Sequence, residues 1–97
     1  MGPGKAELIA RIGEMGSISA AARAMGMSYR RAWQLVEALN RDFRETVVTT
    51  AIGGTRGGGA RVTPFGERLL AAFRAMEGKA SAAIAADLKR FHRHLKP

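Results

Sequence analysis

The chain has no cysteine among its 97 residues. That rules out a disulfide framework and any thiolate metal site, and it suits a reducing cytoplasm. No apolar run approaches the roughly 20 residues that a membrane span requires, and the N-terminus lacks the apolar core of a secretory signal. Histidine is also scarce. His92 and His94 stand two residues apart, a spacing that cannot share a helix face, and no further ligand type is adjacent to them. There is no legible Ser–His–carboxylate arrangement and no carboxylate pair. An enzyme is therefore the weakest reading, and no catalytic residue, metal or cofactor is expected.

Acid is the remaining shortage. Eight Asp and Glu against 16 Lys and Arg leave a net charge of +8, and the excess is unevenly placed. Residues 1–22 balance, with Lys5 and Arg11 against Glu7 and Glu14. Residues 23–61 carry seven arginines against Glu37, Asp42 and Glu45. Residues 62–88 balance again, while residues 89–97 hold Lys89, Arg90, Arg93 and Lys96 with no acid. Clustered charge of this kind is the electrostatic footprint of a polyanion binder; the plainer alternative is a solvated basic face. The length allows one domain with one modest core.

What the chain does have is punctuation. A first helix is expected from about Lys5 to Met15, with Leu8, Ile12 and Met15 at helical spacing, Ile9 widening the stripe and Gly16 ending it. Met1 to Gly4 reads as a flexible start. Ser19 is a good N-cap with Ile18 as its apolar staple, and Ala20 to Met25 are strong helix formers. Gly26 supplies a positive-φ stop. Ser28 then caps a longer helix from Tyr29 to about Phe43. A short helix, a glycine turn and an Arg-rich helix form a helix-turn-helix, the arrangement that presents a recognition helix to the major groove.

On that longer helix, 100° per residue groups Ala32, Val36, Leu39 and Phe43, flanked by Leu35, as the core face. The opposite face collects Arg30, Gln34, Glu37 and Arg41, with Arg31 beside it. These are long hydrogen-bonding side chains that reach base edges and phosphates. The alternative is an ordinary wet face. Tyr29 and Trp33 lie on the boundary, and Trp33 is expected to pack against the first helix rather than contact bases.

Thr46 to Thr50 is β-branched and reads as a strand that Arg61-Val62-Thr63 can pair with. Between them, Ile52 to Ala60 is too glycine-rich for regular structure, and Arg56 is its only charge. A two-stranded hairpin directly after a recognition helix is a wing, whose tip can meet phosphates or the minor groove. Gly53 and Gly58 also have the separation of P-loop glycines. However, Gly59 and Ala60 stand where Lys and Ser/Thr are needed, and the segment leads into a strand rather than a helix.

Thr63 and Pro64 open a last helix, with Gly66 where a capping box wants Glu or Gln. Leu69, Phe73, Met76, Ala80, Ile84, Leu88, Phe91 and Leu95 follow at intervals of three and four. A single helix of about 30 residues would be about 45 Å long, more than so small a core covers. A second copy is the simplest partner for Ile84, Leu88, Phe91 and Leu95. Gly78 and Ser81 leave a kink, or two shorter helices, open.

The run Gly16-Ser-Ile-Ser-Ala-Ala-Ala-Arg-Ala-Met-Gly-Met-Ser-Tyr-Arg-Arg-Ala-Trp, joined to the glycine-rich Gly53–Gly66 segment, resembles the N-terminal domain of the molybdate-responsive ModE-type transcriptional regulators. More distantly, Ser-Ile-Ser-Ala-Ala-Ala is similar to the LysR-type helix-turn-helix. The resemblance spans about residues 5–77. It implies a winged helix, a homodimer and a palindromic double-stranded DNA operator. By position it assigns Ser28, Tyr29, Arg30, Arg31 and Gln34 to the recognition segment and Thr55 to Gly59 to the wing tip. Family members continue into a β-rich domain that binds molybdate. Molybdate binding is not expected of residues 1–97.

The expected fold is mainly α with a small β-hairpin. Residues 1–66 form a winged helix-turn-helix unit, and residues 67–97 form a long C-terminal dimerisation helix with a basic tail. The expected DNA-contacting residues are Ser28, Tyr29, Arg30, Arg31, Gln34, Arg41, Thr55, Arg56 and Arg61. The leading function is a sequence-specific DNA-binding transcriptional regulator. The alternative is a winged-helix interaction or assembly module, which would not need Arg30, Arg31, Arg56 and Arg61 on one side of the molecule.

Overall fold

Hydroxyl caps and left-handed glycines divide the first half of the chain into three helices. The computed structural model describes residues 1–51 and 59–97. In it α1 spans Pro3–Met15, α2 Ile18–Ala24 and α3 Tyr29–Asp42. Strands β1 (Val48–Thr50) and β2 (Ala60–Val62) pair antiparallel, with Val48 opposite Val62 and Thr49 opposite Arg61. A single helix, α4 (Pro64–His92), completes the fold. The expected mainly helical architecture with one small hairpin is the one observed.

Three helices start in the same way. The Ser17 hydroxyl accepts from the Ala20 N–H at 3.1 Å, Ser28 from Arg31 at 3.1 Å, and Thr63 from Gly66 at 2.9 Å. Each bond satisfies the third free donor of its helix, worth about 1 kcal/mol. The expected cap at Ser19 is therefore corrected to Ser17. Ile18 is no staple but the first helical residue, buried at 4% exposure. Gly16 and Gly26, both at φ +67°, end the segments before the Ser17 and Ser28 caps as expected. The first helix starts at Pro3 rather than Lys5, because proline at the first position gives up only an N–H that has no helical partner.

The core joins all three helices to the hairpin. Leu8, Ile9 and Ile12 of α1, Ile18, Ala21 and Ala22 of α2, and Ala32, Val36 and Leu39 of α3 pack with Val47, Val48 and Ala60. No charged or polar residue is buried among the described residues. Met15, expected in this stripe, is 40% exposed at the end of α1. Leu35 and Phe43 flank the core half-buried, and Phe43 meets the Phe65 ring edge-on with centroids 6.5 Å apart.

The hairpin is held at both ends. The Asn40 side-chain oxygen accepts from the Val47 N–H (2.8 Å) and the Val48 N–H (3.1 Å), and its amide donates to the Val48 carbonyl at 2.9 Å. The Thr63 hydroxyl donates to the Thr46 carbonyl at 2.6 Å, and the Ala60 N–H donates to Gly16 O at 3.0 Å. These bonds shift the strands from their expected limits. β1 begins at Val48 rather than Thr46, with the Val47 N–H given to Asn40 and its carbonyl accepting from the Thr63 N–H at 2.9 Å, and Thr63 is a helix cap rather than the end of β2.

Helix α4 runs unbroken through Gly78 for 29 residues. Leu69 and Leu70 pack against the core, and Phe73 is half-buried. From Met76 onward every residue is exposed, including Ile84, Leu88 and Phe91. Leu95 lies past the end of the helix, so the apolar stripe loses its last expected helical member.

Candidate nucleic-acid interface

Helix α3 is amphipathic by geometry. Its buried stripe of Ala32, Val36 and Leu39 sits on α1 and α2, which turns Arg30, Gln34, Glu37 and Arg41 outward. All four are exposed, as is Arg31 on the adjoining flank. The Ser28 cap fixes the first turn through its bond to the Arg31 N–H. Tyr29, the first helical residue, is 53% exposed. Its ring meets Trp33 edge-on, with centroids 6.2 Å apart and planes at 85°. Trp33 is half-buried and packed against the core cluster to which α1, α2, α3 and the hairpin contribute.

The cations on this surface are nearly unpaired. Arg41 Nε lies 3.2 Å from Asp42 Oδ1, both side chains well exposed, and such a pair contributes little and yields readily to a phosphate. No ion pair occupies Arg30, Arg31 or Arg61 among the described residues. Arg61 is exposed on β2, where its carbonyl accepts from the Thr49 hydroxyl at 3.5 Å. Thr55 and Arg56, the wing-tip candidates, lie outside the described residues.

The structure brings Ser28, Tyr29, Arg30, Arg31, Gln34 and Arg41 onto one helix and puts Arg61 on the hairpin that Asn40 ties to that same helix. Asn40 was missed in the sequence. Its partners lie seven and eight residues on, and the only available cue was a polar residue between the core positions Val36 and Phe43. Among the described residues no cluster of three or more His, Cys, Asp or Glu side chains could hold a metal ion. No described helix is long and apolar enough to cross a membrane.

The family model for bacterial regulatory helix-turn-helix proteins, lysR family, matches residues 5–67. The chain is 48% identical over 95 residues to the molybdenum-pterin-binding protein MopB of Rhodobacter capsulatus, which covers 98% of this chain and 34% of that protein. It is 38% identical over 68 residues to the DNA-binding transcriptional dual regulator ModE of Escherichia coli (strain K12), covering 70% of this chain and 26% of that protein. The chain thus spans about a third or less of the length of these curated relatives. Full-length LysG of Corynebacterium glutamicum with bound effector arginine superposes with a TM-score of 0.67 at 26% identity, over 96% of this chain and 30% of that one. A CbnR DNA-binding domain in complex with DNA gives 0.68 at 20% identity, over 97% and 100%, a likeness of fold alone. The resemblance to ModE-type and LysR-type domains drawn from the Gly16–Trp33 run is borne out.

Proposed function

We propose that this chain, which belongs to the lysR family of bacterial regulatory helix-turn-helix proteins, is a sequence-specific DNA-binding transcriptional regulator that acts as a dimer. The observation that carries this reading is the exposed Arg30, Gln34 and Arg41 face of α3, opposite a fully buried Ala32, Val36 and Leu39 stripe. Long donors on a rigid, capped helix suit base edges and phosphates. Residues 1–66 supply the reading unit, and residues 67–97 supply the pairing element and the basic tail. Ser28, Tyr29, Arg30, Arg31, Gln34, Arg41, Thr55, Arg56 and Arg61 are the proposed contacts to double-stranded DNA, on a palindromic operator.

The decisive experiment is Arg30→Ala, with affinities measured on a selected site and on random duplex. The specific site is expected to lose about 1–3 kcal/mol, with preference relaxed at one base position. An equal loss on both duplexes would make Arg30 a phosphate contact. No loss on either would remove it from the interface.

The molybdenum-related names belong to proteins about three times the length of this chain, and we place no molybdate site within residues 1–97. The groove of about 430 Å³ between α1, β2 and the first turn of α4 has Glu14, Arg61 and Glu67 as its charged lining residues. Its charged lining is two carboxylates and one guanidinium, which leaves no surplus of positive charge to hold a small oxyanion in the groove. Calorimetry with molybdate should give no saturable heat, and DNA affinity should not change with molybdate. Saturable micromolar binding would contradict this placement.

A further inference from the structure

We propose that Tyr29 reads a thymine through its C5-methyl group, so that one base in each half-site is recognised by apolar contact rather than by a hydrogen bond. The inference rests on the DNA-binding reading above and adds the chemistry of one contact to it. Tyr29 is the only tyrosine of the chain and stands at the first position of α3, directly after the Ser28 cap. The first turn of a recognition helix lies closest to base edges in the major groove.

The ring of Tyr29 is held in place although it is exposed. It rests edge-on against Trp33, one helical turn further along at a centroid distance of 6.2 Å, and Trp33 is itself packed on the buried cluster. A half-exposed aromatic side chain on a fixed support keeps its apolar surface in water until a partner covers it. Arg30 and Gln34, exposed on the same helix, carry donors suited to guanine and adenine edges. Both end in polar groups, whereas the Tyr29 ring offers a broad apolar face. The major groove presents one apolar group, the thymine methyl, and it distinguishes thymine from cytosine. A ring on the helix that also carries a guanidinium and a carboxamide therefore adds the apolar contact to their hydrogen bonds. Burying one methyl against the ring corresponds to about fourfold in affinity.

The test separates the methyl from everything else in the base. A binding site is selected from random duplexes with the 97-residue chain, and each thymine is then replaced singly by deoxyuridine, which removes only the methyl. Affinities are read by fluorescence anisotropy for the wild-type chain, Tyr29→Phe and Tyr29→Ala, each checked for an unchanged thermal melt. One thymine per half-site should cost the wild-type chain about fourfold on replacement. Tyr29→Phe should keep that penalty and Tyr29→Ala should abolish it. The methyl contact is overturned, with the DNA-binding reading intact, by three results: no penalty at any thymine, a penalty of equal size in Tyr29→Ala, or a penalty lost in Tyr29→Phe. The last would assign the contact to the hydroxyl. Selection that enriches no sequence overturns both the contact and the reading beneath it.

Discussion

At the scale of single residues, Asn40 and Gly66 decide where the hairpin sits. One Asn40 oxygen satisfies two backbone donors while its amide satisfies the Val48 carbonyl. No apolar or singly polar side chain can do all three. Gly66 acts by having no side chain. A Cβ there would stand 2.5 Å from the Val47 carbonyl oxygen and 2.8 Å from a Val62 methyl. In an open helix Gly→Ala stabilises by about 1 kcal/mol, but at this position the overlap with backbone outweighs that gain. Gly66→Ala is expected to destabilise the fold by about 1–3 kcal/mol in urea unfolding, and an unchanged or raised midpoint would refute the close approach. In the sequence Gly66 showed only as a missing capping-box residue. Its real constraint comes from hairpin residues 19 and 4 positions away in the chain, Val47 just before β1 and Val62 in β2, which no local pattern reveals.

At the scale of elements, the signals that were legible are those whose physics is complete within four residues. Gly16 and Gly26 were readable as stops because only glycine adopts φ +67° without strain. Ser28 and the Thr63-Pro64 pair were readable as starts because each cap bonds a donor three residues on. Ser17 and Ser19 were not separable locally, since both precede the same alanine run. The burial of Ile18 settles the matter in favour of Ser17. The wing repeats this division. Its β-branched strands were visible, but their limits depend on Asn40 and Thr63 reaching across from neighbouring helices. Arg56, beyond the described residues, is the only charge between Ile52 and Ala60, and as a proposed backbone contact it has a measurable signature. Arg56→Ala should weaken specific and random DNA alike and flatten the plot of log affinity against log salt by about one unit. Unchanged affinity and slope would reduce the glycine segment to a connector.

At the scale of the whole molecule, α4 extends well past the body it grows from. The protein measures 56 × 30 × 20 Å, and a helix of 29 residues is about 43 Å long. Only its first turns, through Leu69, Leu70 and half-buried Phe73, rest on the core. Ile84, Leu88 and Phe91 follow at helical spacing, with Phe91 64% exposed, and this unsupported apolar stripe is the surface we propose for pairing. A second copy of α4 would cover it and place the two α3 helices about 34–36 Å apart, one turn of duplex, or a multiple of that. Replacing Leu88 and Phe91 with glutamine keeps good helix formers at both positions while removing the apolar seam. The double variant is expected to sediment as a monomer and to bind a palindrome far more weakly, with its affinity for a single half-site unchanged. A variant that remains dimeric would move the seam elsewhere on the molecule. A wild-type chain that sediments as a monomer at micromolar concentration yet binds a palindrome tightly would remove dimerisation through α4 altogether.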